Sequence, residues 1–89
     1  MPKIATFKNF IFFFYSFDLT ERIHLHISKS KNYSNYAKIW LDTLEVEYLG
    51  DLSNIEMNEC IKIISKNKNK IISLIEKYKE TQDIKSLKL

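Results

Sequence analysis

The order of apolar and polar positions divides the chain into a strand-like half and a helical half. Up to Gly50 the apolar residues alternate or form short runs, whereas after Gly50 they recur every three or four positions. A period of two is typical of strands and a period of 3.6 is typical of amphipathic helices. The pattern therefore predicts one α+β domain over residues 1–89, with a sheet within 4–50 and helices within 53–82.

Two strands are predicted early in the chain. The aromatic run FIFFFYSF, residues 10–17, is apolar on both faces, and RIHLHIS, residues 22–28, alternates cleanly. The segment DLTE, residues 18–21, connects them. Because alternate side chains of a strand point to opposite faces, the apolar residues of the second strand share one face and its histidines share the other.

The segment AKIWLDTLEVEYL, residues 37–49, predicts a hairpin that turns at 42–43. In that register Ile39 lies opposite Val46, while Lys38 lies opposite Glu47 as a cross-strand charge pair. A slip of one residue would bury the charged side chains, so the pattern specifies the register. Together the segments predict a four-stranded antiparallel meander.

Two helices follow. The sequence SNIE, residues 53–56, is a capping box and predicts the start of a helix at Ser53. Apolar stripes on either side of the polar run SKNKNK, residues 65–70, predict a break near 67–69 and two helices that cover one face of the sheet. From Thr81 the chain is expected to fray, with an anchor at Ile84 or Leu87.

Composition limits the classes of protein. The chain has no apolar run near the roughly 20 residues that span a bilayer, no export-type leader at its start and a single cysteine, Cys60. These features predict a cytoplasmic protein that does not enter the membrane. The net charge of +3 suits an anionic partner, but 13 Ile, 13 Lys and 7 Asn are also what A/T-rich codons produce.

The first candidate site is the pair His24 and His26, the only histidines of the chain. A strand places their Cα atoms about 7 Å apart, so a shared metal would need a third ligand, and only Asp18, Glu21 and Asp42 are conceivable partners. We predict no metal site and no cofactor. The histidines, with Arg22 as the cation, could instead serve a metal-independent ribonuclease, or they could be surface residues without catalytic duty.

The second candidate is a basic and aromatic surface that could grip phosphates and stack single-stranded bases. Its predicted residues are Lys29, Lys31, Tyr33, Tyr36, Lys38 and Trp40, with a further cluster of Lys62, Lys66, Lys68 and Lys70 at the helix break. Each cluster also fits a solvated face in a lysine-rich protein. Their presence on one surface would favour binding.

The third candidate is the aromatic strand itself. The side chains at 10, 12 and 14 face opposite to those at 11, 13 and 15, and two helices can cover only one side of a sheet. A partner protein or a second copy could cover the other side. Alternatively, residues 1–9 could fold back over it.

The whole pattern resembles a family of short bacterial proteins classed as domain of unknown function 4160. The resemblance is carried by the opening MPKI, the aromatic first strand, the pair His24-x-His26, the segment ending at Gly50-Asp51-Leu52 and the closing helices. The family usually has Pro-Pro-His-Phe-His at the histidines, where this chain has Arg-Ile-His-Leu-His. The resemblance implies a small accessory protein, often encoded beside another small protein in a toxin–antitoxin-like arrangement.

These observations lead to one functional hypothesis and two alternatives. The chain is expected to be a small non-enzymatic binding or inhibitor protein that acts on RNA or a ribonucleoprotein, in a toxin–antitoxin or anti-defence (anti-CRISPR-like) locus of a mobile element. The alternatives are a ribonuclease toxin that uses the two histidines and a module that binds a small cognate protein through its aromatic strand.

Overall fold

A mostly antiparallel sheet and two helices form the structure, a computed structural model that describes residues 2–15, 20–29, 31 and 33–89. The strands are β1 (Lys3–Phe7), β2 (Phe10–Phe13), β3 (His24–Ser28), β4 (Ala37–Trp40), β5 (Val46–Tyr48) and β6 (Leu87–Lys88). The helices are α1 (Asn54–Lys66) and α2 (Lys68–Thr81). The predicted end of the aromatic strand at 16–17 and half of the predicted connection, residues 18–19, lie outside the described residues.

The six strands lie in the order β5-β4-β3-β2-β1-β6. Strands β2 to β5 form the predicted antiparallel meander. The prediction of four strands is wrong at one edge, where β1 pairs antiparallel with β2 and β6 pairs parallel with β1. The segments KIATF and LK are too short and too weakly alternating to be predicted from periodicity alone.

The hairpin of β4 and β5 has the predicted turn but a bulged register. Ile39 lies opposite Val46 as predicted, whereas Lys38 lies opposite Tyr48 and not Glu47. The irregularity falls between those two pairs, since an extra residue on one strand shifts all pairing beyond it.

Both helices begin and end as the sequence predicts. The Ser53 hydroxyl accepts from the Glu56 N–H at 3.1 Å, and the Glu56 carboxylate accepts from the Ser53 N–H at 2.9 Å, which completes the capping box. Asn67 separates α1 from α2, and its side-chain amide donates to the Ile63 carbonyl at 2.8 Å. The predicted break is confirmed.

The hydrophobic core lies between one face of the sheet and the two helices, as predicted. Its fully buried sheet residues include Ile4, Phe12, Leu25, Ile27 and Ile39, and its helical residues include Met57, Cys60, Ile64, Ile71 and Ile75. Burial raises the pKa of the Cys60 thiol to about 12. Neither described helix has the length and apolar composition of a membrane-spanning helix.

The end of the chain does not fray. After α2 the backbone returns to the sheet, where Leu87 pairs with Ala5 and the Leu89 N–H donates to the Thr6 carbonyl at 2.7 Å. The hydroxyl of Ser86 donates to the Lys3 carbonyl at 2.8 Å. The expectation of an anchor at Leu87 is confirmed, and β6 provides the backbone pairing that composition cannot reveal.

Candidate nucleic-acid interface

The side of the sheet opposite the helices carries a second layer of side chains. Alternation along the central strands puts Phe13, His24, His26, Lys38 and Trp40 there. Cross-strand register then brings them together, since His26 lies between Phe13 and Lys38 while His24 lies opposite Trp40. We call this side of the sheet the aromatic face.

Tyrosines from the loop after β3 pack onto the aromatic face. The Tyr33 ring meets Phe13 edge-on, with the ring centroids 4.8 Å apart. Tyr36 contacts His26 with a centroid distance of 4.6 Å, and Tyr15 contacts the same histidine at 5.5 Å. Tyr33 and Tyr36 were predicted to stack on bases, but part of each ring surface already packs against the sheet.

Gly50 fixes the position of this loop. Its φ angle is +56°, and a Cβ atom there would lie 2.3 Å from the Asn35 carbonyl oxygen and 2.5 Å from that of Tyr36. The next residue, Asp51, donates its N–H to the Asn35 carbonyl at 2.9 Å. The backbone after β5 therefore packs directly against the loop that carries Tyr36 and fixes its position.

The expectation that residues 1–9 fold over the aromatic strand is wrong, because residues 3–7 form β1 within the sheet. The hypothesis of a partner docked on the aromatic strand also loses its basis. Phe10, Phe12, Phe13 and Phe14 are all buried within the chain itself. The side of the aromatic strand that faces away from the helices is covered by Tyr15, Tyr33 and Tyr36.

Both histidines are buried, and the expectation of surface histidines is wrong. Each retains 4% of its exposure, and the two ring centroids lie 5.0 Å apart. The Nδ1 atom of His24 lies 2.9 Å from the Arg22 carbonyl oxygen. Since a carbonyl can only accept, Nδ1 carries the proton and the lone pair of the neutral ring is on Nε2. Alternation predicted the orientation of the histidines correctly but not their cover.

The described residues offer the histidines little catalytic support. No group of three or more His, Cys, Asp or Glu side chains within the described ranges could hold a metal ion, and Asp18 lies outside those ranges. Arg22, the predicted cation, donates from Nε and Nη2 to the two Asp42 carboxylate oxygens, each at 2.8 Å. This double hydrogen bond raises the pKa of Arg22 and lowers that of Asp42.

Trp40 lies at the centre of a group of charges. The Arg22 guanidinium and the Lys38 ammonium each lie 4.5 Å from the centroid of its ring. Its Nε1–H donates to the Glu47 carboxylate at 2.8 Å. Cations over an aromatic face are attracted by the ring quadrupole, so these contacts hold two positive charges on the aromatic face.

The predicted lysines are spread over the fold, and three of them lie near opposite ends of α1. Lys29 contacts Glu56 in the first turn at 3.1 Å, and Lys31 is exposed nearby. Lys68, just beyond the last turn, donates to the Asp42 carbonyl at 2.9 Å. The first and last turns are about 15 Å apart along a helix of this length. The lysines therefore do not form one continuous patch.

The remaining predicted lysines, at 62, 66 and 70, are exposed on the helices, which lie on the opposite side of the sheet from the aromatic face. Lys68 alone reaches the hairpin turn that also binds Arg22. Two tyrosines of the aromatic face were not predicted: Tyr15, and Tyr48, which is 44% exposed and contacts Tyr36. Alternation from Phe13 predicts that Tyr15 lies on this face. Tyr48 lies opposite Lys38 only because of the bulge in the hairpin, which the alternation pattern does not predict.

The fold and this face define a small α+β protein with an aromatic and basic sheet surface. A family model described as Domain of unknown function (DUF4160) matches residues 9–79. That span is most of the chain, so the chain belongs to the DUF4160 family and the resemblance seen in the sequence is confirmed. Searches of the curated proteins and of the solved structures found no match.

Proposed function

We propose that the chain is a non-enzymatic binding protein whose aromatic face takes single-stranded RNA, free or within a ribonucleoprotein. The observation that carries the proposal is a helix-free sheet surface on which accessible rings lie beside cations. Tyr48 is 44% exposed, Trp40 and Tyr36 are partly exposed, and Arg22 and Lys38 flank the tryptophan.

This combination suits single strands more than duplexes. Unpaired bases stack on aromatic rings and on guanidinium planes, while cations neutralise the phosphates between them. Tyr48 is the most accessible of these rings and lies opposite Lys38 in the register. One nucleotide could therefore stack on the tyrosine while its phosphate meets the lysine on the neighbouring strand.

Burial of the histidines favours binding over catalysis. A ribonuclease needs an imidazole within hydrogen-bond reach of the 2′-hydroxyl that it deprotonates. His24 and His26 are each 4% exposed, and the guanidinium of Arg22 is already engaged by Asp42. An RNA strand on the aromatic face would lie over the tyrosines and not against the histidine rings.

The biological setting of the proposal comes from the sequence. An inhibitor from a toxin–antitoxin or anti-defence locus, acting in the cytoplasm on an RNA-containing complex or with a small cognate protein, follows from the family resemblance and the composition. The homodimer that the aromatic strand predicts stays a prediction.

Titration of the protein with a short oligoribonucleotide tests the proposal. Trp40 is the only tryptophan, so its fluorescence reports binding at the aromatic face directly. We expect affinity to fall steeply with added salt, since bound lysines release counterions from the phosphates. Tyr48→Ala should weaken binding by about 1 to 3 kcal/mol without changing the salt dependence, and Lys38→Gln should reduce that dependence.

Two control variants sharpen the test. Val46 is on the same strand and 41% exposed, but it pairs with a core residue on the helix side, so Val46→Ala should leave RNA affinity unchanged. Lys77→Gln removes an exposed lysine of α2 and should have less effect than Lys38→Gln. Absence of RNA binding at low salt, or equal losses for Val46→Ala and Tyr48→Ala, would refute the proposal.

A further inference from the structure

An open groove of about 880 Å³ lies beside the aromatic face. It is bounded by the turn between β1 and β2, by the loop after β3 and by the first turns of α1. Its charged lining residues are Lys3, Lys8, Lys29, Lys31, Glu56 and Glu59. Tyr33, which packs on Phe13, forms part of its wall.

The charges of the groove do not balance. Lys8 binds Glu59 at 2.6 Å and Lys29 binds Glu56 at 3.1 Å. Lys3 and Lys31 are exposed and form no ion pair among the described residues. The groove therefore carries an excess of two positive charges, supplied by lysines from two different segments of the chain.

The start of α1 is not the source of this positive potential. The N–H of Glu56 is already bound by the Ser53 hydroxyl, and the carboxylate of Glu56 lies at the same helix end. An anion in the groove would instead be bound by lysine side chains, whose ammonium groups bind phosphate as flexible point charges.

We infer that this groove binds the phosphate monoester of a nucleotide, with the ring of Tyr33 beside the base. A monoester carries a charge between about −1.5 and −2 at pH 7, which matches the excess of the groove, whereas a phosphodiester carries only −1. A volume of 880 Å³ is within the range of small-ligand sites. The source of the phosphate is the end of an RNA strand or a free mononucleotide.

This inference deepens the proposed function, because Tyr33 belongs to both the groove and the aromatic face. A strand that crosses the face would place its terminal phosphate among the groove lysines. The groove would then select strands by their chemical end, independently of base sequence.

Calorimetric titration distinguishes the two sources. One oligoribonucleotide is prepared with a 5′-phosphate, with a 3′-phosphate and with neither, and AMP is compared with adenosine. Charged hydrogen bonds contribute roughly 1.5 to 3 kcal/mol, so one of the phosphorylated strands should bind about tenfold tighter or more than the unphosphorylated strand. AMP should bind where adenosine does not, and its affinity should fall below about pH 6 as the monoester is protonated.

Four variants test the charge argument. Lys31→Gln and Lys3→Gln should each reduce the preference for the phosphorylated ligand, whereas Lys77→Gln, on the exposed face of α2, should retain it. Glu59→Gln should strengthen AMP binding, because it releases Lys8 and raises the positive excess. All four side chains are exposed or half-buried, and thermal melting verifies that the variants fold.

The outcomes separate this inference from the proposed function. If a terminal phosphate does not change the affinity for the strand and AMP does not bind, the phosphate site in the groove is refuted. RNA binding at the aromatic face is then still supported. AMP binding without strand binding would support the groove and refute the RNA proposal. If neither ligand binds, both are wrong.

Discussion

Substitution of Gly50 by alanine should destabilise the fold strongly. A left-handed φ costs a residue with a Cβ atom about 1 to 2 kcal/mol. The new Cβ would also lie 2.3 Å from the Asn35 carbonyl oxygen and 2.6 Å from the Tyr36 carbonyl carbon, so the loop backbone must move. That movement threatens the hydrogen bond from Asp51 to Asn35. Because both residues are exposed, its loss costs about 0.5 to 1.5 kcal/mol. With the cost of the clash added, we expect a loss of about 3 kcal/mol.

Urea unfolding followed by circular dichroism and tryptophan fluorescence measures this loss. With about 5 to 15 kcal/mol of total stability and a urea slope of about 1 to 3 kcal/mol per molar, the midpoint should fall by about 1 M or more. Gly50→Asn separates the two causes, because asparagine tolerates a left-handed φ but brings the same Cβ. It should be less destabilising than alanine by about 1 kcal/mol, because the clash of the Cβ atom stays while the cost of the left-handed φ falls.

Gln82 provides a control in which a left-handed residue is replaced by glycine. It has a φ of 59° at the end of α2 and is exposed, so Gln82→Gly relieves a left-handed residue without removing any clash. A gain of less than about 1 kcal/mol is expected there. A loss below about 1 kcal/mol for Gly50→Ala would show that the loop gives way easily, and the argument that Gly50 fixes Tyr36 would be wrong.

The remaining predictions concern the core, the helix cap and the histidines. With a pKa of about 12, the buried Cys60 thiol is ionised in only about one molecule in ten thousand at pH 8, so iodoacetamide should modify the unfolded chain at least a hundredfold faster than the native one. Ser53→Ala should cost about 1 kcal/mol in urea unfolding, as loss of a helix cap does. Hydrogen bonds from the Ser53 N–H and then from Lys29 lower the pKa of Glu56. The Glu56 carboxylate therefore stabilises the fold above its ordinary pKa near 4.5, and this stabilisation is lost as the pH falls below that value. The difference in unfolding free energy between the protein and Glu56→Gln should shrink over the same pH range. The double change of His24 and His26 to Gln should lower stability by about 2 kcal/mol or more, because both rings are buried in the aromatic layer, and an unchanged melting temperature would contradict their burial.

Local signals predicted most of the fold. The capping box, the asparagine break and the alternation of β3 each depend on neighbours within a few residues, and all three are confirmed. Strand β1 was missed because its sequence alternates weakly, and the edge strand β6 was missed because it pairs with residues from the other end of the chain. The family match covers residues 9–79, so it includes neither of these two strands.

The candidate site was predicted in composition more than in geometry. Alternation put His24 and His26 on the correct side of the sheet, but burial depends on Tyr33 and Tyr36, which reach them through an irregular loop. Tyr33 itself has a left-handed φ of 59°, a conformation that the sequence pattern does not predict. Long-range lysine pairs, such as Lys8 with Glu59, leave no trace in local periodicity.

The parallel pairing of β6 with β1 sets an order for assembly. The hairpin of β1 and β2 closes within a few residues, whereas Ala5 and Leu87 are separated by nearly the whole chain. Each doubling of loop length costs about 0.6 kcal/mol, so closing the long loop first would cost roughly 2.5 kcal/mol more. The two-residue strand therefore docks last and opens first, and the amide of Leu89 should exchange with solvent before those of the central strands. Each opening leaves the outer backbone of β1 unpaired, as a template on which another chain can add a strand.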